Sequence, residues 1–201
     1  MFFLFATAPI IAQDTEINYP RHFVFVKNEI PTIEERLFLY NTKYNLVGKS
    51  LDGFSPKAKA MLTRKATEAL AKAQKDFLEL GYSLVIYGAY HPIKTTIQLI
   101  NWMYKVKTDD EVLKKKYFPY IGRKGISFLS KCYNPTGNVV DLTLIPIGKK
   151  LKPIKFETRT LGDGSQIEYM VDGSVDMGCS FDTFDVCSAH GFDDITDQQK
   201  K

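Results

Sequence analysis

The stretch from Ser55 to Tyr87 does most to restrict how this chain can fold. From Ser55-Pro56 onward, Met61, Leu62, Ala66, Ala69, Leu70, Ala73, Phe77 and Leu80 recur at helical spacing, which predicts one helix with an apolar face. Gly81 follows where a helix commonly closes on a left-handed residue, a conformation that glycine adopts without strain. Tyr82-Ser83-Leu84-Val85-Ile86-Tyr87 then reads as a buried strand, because it is β-branched and aromatic and lies between Gly81 and Gly88.

The rest of the chain continues in mixed fashion. Gly88-Ala89-Tyr90-His91-Pro92 is a loop leading to a second helix around Thr95 to Tyr104, and Val139 to Ile147 is a further strand. Segments 152–160 and 165–171 alternate as strands around Leu161-Gly162-Asp163-Gly164, which is hairpin chemistry. Phe23-Val24-Phe25-Val26 is a packing strand. Helices and strands in irregular order, without regular βαβ alternation, predict an α+β fold. With 201 residues, 44% hydrophobic and 25% charged, the chain fits a single globular domain over 21–201, preceded by an apolar segment over 1–20.

Composition excludes several classes. A net charge of +4, from 27 basic and 23 acidic residues, is too small and too dispersed for a nucleic-acid footprint. Lys114-Lys115-Lys116, which follows Asp109-Asp110-Glu111, reads as a solvated helix end. Cys132, Cys179 and Cys187 form no paired metal spacing and no disulfide framework. The opening residues Met1 to Gln13 are apolar but too short to span a bilayer and lack a preceding basic run. A signal-peptide core, an apolar arm and a misplaced start all remain open, and with them the periplasm or the cytoplasm of a bacterium.

One residue calls for chemistry. Asp141 interrupts the apolar run Val139-Val140-Asp141-Leu142-Thr143-Leu144, and burying a carboxylate costs several kcal/mol unless it is paired or metal-bound. A salt bridge to lysine or arginine is the plain explanation. Gly137, four residues earlier, allows a close backbone approach beside it.

The spacing Cys132-x-Asn134-x-x-Gly137-x-x-x-Asp141-Leu142-Thr143-Leu144 resembles the Ser-x-His-x-x-Gly-x-x-x-Asp-Leu-Thr-Leu motif of the zinc-dependent D-alanyl-D-alanine dipeptidases of VanX type. Three more blocks follow the same order. Tyr40-Asn41-Thr42 with Asn45-Leu46-Val47-Gly48-Lys49 and Gly53-Phe54 resembles Tyr-Ala-Thr…Asn-Phe-Thr-Gly, and Gly88-Ala89-Tyr90-His91-Pro92 resembles Asp-Gly-Tyr-Arg-Pro. Asp176-Met177-Gly178 with Phe181-Asp182-x-Phe184 resembles the family's Met-Gly…Phe-Asp segment.

The resemblance implies a small antiparallel sheet flanked by helices. It also implies a zinc ion held by His, Asp and His, a glutamate general base, and hydrolysis of a small D,D-dipeptide in cell-wall peptidoglycan metabolism. Carried over position by position, Asp141 is the retained metal ligand and Asn134 stands at a lost histidine ligand. His91 stands at the family's transition-state arginine, without the fixed charge and two-pronged geometry of guanidinium. Tyr40, Cys132 and Asp182 fall at substrate-binding positions, Cys132 in place of a serine. The family's C-terminal Glu-x-x-Trp-His, which holds the base and the third ligand, has no counterpart: no glutamate follows Glu168, and Trp102 is the only tryptophan. The resemblance thus predicts a degenerate, C-terminally shortened relative. Two readings follow, a working zinc dipeptidase and a non-catalytic remnant or binding domain. A zinc site rebuilt from Asp141, His91 and His190 is a further alternative, and a Cys132 nucleophile beside His91 would be a different chemistry.

Overall fold

The computed structural model describes residues 22–109 apart from 46 and 56, together with 134–161, 164–183, 186–188 and 191–200. The apolar segment 1–20, Lys114 to Lys116, Cys132, Phe184 and His190 lie outside the described residues.

The expected helix is shorter than its periodicity, because its first apolar residues are taken by a strand. Strand β1 (Phe23–Phe25) runs into a single helical turn, α1 (Val26–Glu29), and then into strand β2 (Glu34–Glu35). Met61–Thr63 form strand β3, antiparallel to β1, with Phe25 opposite Met61 and Phe23 opposite Thr63. Helix α2 (Arg64–Glu79) begins only after it, capped by Thr63, whose hydroxyl accepts from the Ala66 amide. Burial of Met61 and Leu62 against neighbours remote in sequence outweighs the helical spacing that they share with Leu70 and Phe77. Gly81 ends the helix as expected, with φ of 88° and its amide donating to the Leu78 carbonyl.

Strand β4 (Tyr82–Gly88) is the centre of the domain. It lies between β2 and strand β5 (Asp141–Pro146), parallel to the first and antiparallel to the second, so the central sheet is mixed rather than antiparallel. Parallel pairing of β2 with β4 is open to this chain because α2 and the preceding loop supply the long crossover that it needs. Two separate two-stranded pairs accompany it, β1 with β3, and β6 (Lys155–Thr160) with β7 (Gln166–Val171), the latter the expected hairpin. Helix α3 (Ile93–Asp109) follows β4, and no helix among the described residues is long and apolar enough to cross a membrane.

Both faces of β4 are covered, which explains its unbroken apolar sequence. Leu84 and Ile86 pack with Val26, Ile33, Leu62 and Leu70 under α2. Val85 and Tyr87 point the other way, toward Leu39, Ile145 and Met170. On the α2 side the buried Gln74 amide group holds the sheet in place: its Oε1 accepts from the Leu84 amide and its Nε2 donates to Ser83 Oγ, at 2.8 and 2.9 Å.

Candidate functional site

The β4–β5 register slips at the C-terminal end of β4. Ile86 faces Leu142, but Gly88 rather than Tyr87 faces Asp141, so Tyr87 is an inserted bulge residue. A bulge bends the strand and redirects the side chains beyond it. Here it brings the Asp141 carboxylate against the backbone of Gly88. A Cβ at Gly88 would lie 2.1 Å from Asp141 Oδ2 and 3.1 Å from the Tyr40 hydroxyl, so only glycine leaves room. The Tyr40 hydroxyl donates to Asp141 Oδ2 at 3.5 Å, near the outer limit of a hydrogen bond.

Tyr40 arrives from a 3-10 turn over Leu37–Asn41 and is buried, with its carbonyl accepting from the Leu51 amide. Around its ring stand Phe54 (stacked, 5.1 Å), His91 (edge-on, 4.5 Å) and Phe181 (edge-on, 5.7 Å). Phe181 in turn touches Tyr87 at 5.2 Å. Residues 40, 54, 91, 141 and 181 therefore converge from all four blocks that the sequence singled out, across more than half of the chain. Asp182 follows Phe181 at φ 57°, the one left-handed non-glycine residue among those described, which makes the turn that carries it conformationally specialised. Gly137 behaves as its position suggested: φ is 66°, and a Cβ there would stand 1.7 Å from the Phe23 ring.

Of the remaining expected site residues, Asn134 opens a short 3-10 turn (Asn134–Thr136) that leads to Gly137 and β5. His91 is 2% exposed, and burial lowers its pKa to about 4, so the imidazole is neutral near pH 7. It supplies none of the fixed positive charge of an arginine.

A buried ionic cluster beside the site had no signal in the sequence. Arg36 Nη1 pairs with Asp172 Oδ2 at 3.0 Å, and the Tyr87 hydroxyl donates to the same oxygen at 2.6 Å. Arg36 Nη2 also donates to the Lys152 carbonyl, and Asp172 Oδ1 accepts from the Ser174 amide. Burial first, and the bond to Asp172 second, push the Tyr87 phenol above its ordinary range, so it stays a donor. The cluster anchors the bulge residue Tyr87 and the start of the loop bearing Phe181. Nothing local marks Arg36, which follows Glu34-Glu35, or Asp172, which precedes Gly173, as partners, so only the folded chain reveals the pair.

A second tether holds the same loop further along. Arg159 lies over the Tyr169 ring and bonds Glu157 and Asp176, and the Asp176 carboxylate also accepts from the Gly178 amide and Gln199 Nε2. Burial raises the Asp176 carboxyl, but the bonds from Arg159, Gly178 and Gln199 outweigh it and hold the pKa at about 2.

A carboxylate, a tyrosine hydroxyl and aromatic faces stand together here, groups whose chemistry suits a cation. Among the described residues no three His, Cys, Asp or Glu side chains come together to hold a metal ion. No protein-family model matches the chain. It is similar to the D-alanyl-D-alanine dipeptidase of Enterococcus faecalis, 31% identical over 110 residues, covering 52% of each chain. It is also similar to the D-alanyl-D-alanine dipeptidase of Streptomyces coelicolor, 28% identical over 109 residues and again 52% of each. The chain thus spans about half the length of the curated relatives it matches, and the likeness supports a distant relationship to them.

Proposed function

We propose that this chain is a diverged relative of the D-alanyl-D-alanine dipeptidases that retains the pocket for the ammonium end of a small D,D-dipeptide, with impaired or no hydrolysis. The observation that carries this reading is the meeting of Tyr40 and Asp141 at the Gly88 bulge, where a carboxylate and a hydroxyl share one small space. A primary ammonium there gains charge-assisted hydrogen bonds, which are roughly twice as strong as neutral ones. Asp182, on the loop that brings Phe181 to Tyr40, and Cys132 are the further substrate-binding candidates.

The zinc ion of the resemblance does not fit the donor set that the described residues provide. Asp141 is one carboxylate, the amide at Asn134 is a weak neutral donor beside imidazole, and a zinc site needs about three protein ligands. The neutral His91 also removes the fixed charge that would stabilise a developing oxyanion, and loss of one such donor typically lowers rates by about 10²–10³. These two features favour the second reading, a binding domain descended from the peptidases.

Calorimetry with D-alanyl-D-alanine on the purified chain tests both, combined with an assay for released D-alanine. Binding is expected, weakened about tenfold or more in Asp141→Ala, with D-alanine release at background. Turnover that survives removal of contaminating enzymes and disappears in Asp141→Ala would replace the binding reading with an active dipeptidase. Absence of binding would end the pocket assignment.

A further inference from the structure

His91 is left over once the ammonium end of a ligand has been placed. Its ring is 2% exposed, yet neither Nδ1 nor Nε2 has a hydrogen-bond partner. Buried polar atoms are nearly always bonded, and leaving one unmatched is costly. The neutral ring carries one donor and one acceptor nitrogen. Its neighbours Tyr40 and Phe54 present aromatic rings at 4.5 and 5.6 Å. A ring face can weakly accept an N–H, but it offers the acceptor nitrogen nothing.

Phe54 is the less buried part of this cover. It is half-buried, between an exposed Gly53 at φ 99° and an exposed Ser55, and it lies stacked on Tyr40. Asn41 Nδ2 donates to the Phe54 carbonyl at 2.6 Å beside the Tyr40 turn. Tyr40 itself is common to both groups: its hydroxyl faces Asp141 and its ring meets His91.

The geometry points to a gated subsite in which Phe54 swings off His91 and the imidazole hydrogen-bonds an uncharged amide of the ligand whose ammonium lies at Asp141 and Tyr40. This assignment rests on the ammonium pocket proposed above. An α-amino amide carries an ammonium and, one carbon away, both a carbonyl acceptor and an N–H donor, so whichever nitrogen of the neutral imidazole faces the ligand meets a complementary group. A free carboxylate offers acceptors only and finds no fixed positive charge on His91. The ligand class is therefore an amino-acid amide or the first residue of a peptide, and a free amino acid is disfavoured.

The test is a titration of the full chain, labelled with ¹⁵N-histidine, with D-alaninamide, D-alanine and ethylamine in parallel. D-Alaninamide is expected to shift the His91 ring-nitrogen resonances, assigned by their loss in His91→Phe, and to bind about tenfold or more tighter than the other two. In His91→Phe its affinity should fall to that of ethylamine, and in Phe54→Ala it should hold or improve because no cover has to open. Unmoved His91 resonances on D-alaninamide binding, or tighter binding of D-alanine, would overturn the subsite; ethylamine binding that is lost in Asp141→Asn would still uphold the ammonium pocket. A tenfold loss in Phe54→Ala would make Phe54 a wall and overturn the gate. If no amine binds a chain whose NMR spectrum shows it folded, both assignments fail. Should His91→Phe not fold, the native chain's nitrogen shifts and the order of the three affinities decide.

Discussion

Replacing Gly88 with alanine isolates the close approach that sets the Asp141 carboxylate. The added methyl would stand 2.1 Å from Asp141 Oδ2, 3.1 Å from its Cγ and 3.1 Å from the Tyr40 hydroxyl, and contacts below 3.0 Å essentially never occur. The carboxylate must therefore move. Gly88 is not among the glycines in the left-handed region, so alanine suits its backbone, and the obstructing oxygen ends a short side chain rather than belonging to a strand. Rotation of Asp141 relieves the clash while the β4–β5 ladder survives. Overpacking of this kind costs about 1–3 kcal/mol, and the reduced freedom of the unfolded chain on Gly→Ala returns about 0.4–1 kcal/mol. Urea unfolding should then show a net loss of about 1–2 kcal/mol, whereas calorimetry should show D-alaninamide affinity down about tenfold or more. Stability and binding separate because the methyl disturbs one side chain that the fold can spare and the ligand cannot. A stability loss above about 4 kcal/mol would mean that the strand pairing itself had broken. Unchanged amine affinity would refute the placement of the ammonium beside Gly88.

Asp172→Ala should cost about 3–5 kcal/mol in denaturant unfolding, because it leaves the buried Arg36 guanidinium without its partner; a loss below about 1 kcal/mol would show that the cluster is not the anchor described here. Asp176 has a folded-state pKa of about 2, below its ordinary 3.8, so its contribution to stability is full above about 4 and fades as pH falls through about 2. The stability gap between the native chain and Asp176→Asn should accordingly narrow from neutral pH toward pH 2, and a gap independent of pH would contradict the tether.

Much of the framework was legible in the sequence. The Gly81 helix stop, the β4 strand, the hairpin and the tight approach at Gly137 all depend on local backbone preference or on a run of residues that a single element explains. Residues Tyr40, Phe54, His91, Asp141 and Phe181 were legible as members of separate motifs, though nothing local placed them around one ring. The start of α2 is ambiguous in the sequence because Met61 and Leu62 fit both a helical stripe and a strand, and the choice falls to β1, which is nearly forty residues away in the chain. The parallel pairing of β2 is another long-range outcome, since two glutamates carry no mark of their partner strand.

By itself, then, the sequence determined where chain direction changes and which residue types were available for chemistry, since both follow from local steric and hydrophobic terms. Tertiary structure alone decided what those residues face. The bulge at Tyr87 turns Asp141 onto Gly88, the Arg36–Asp172 pair forms inside the domain, and His91 is buried beside Tyr40 and Phe54 with its nitrogens unpaired. Each of these depends on groups remote in sequence sharing a desolvated space, where hydrogen bonds and charges acquire energies that no local pattern encodes.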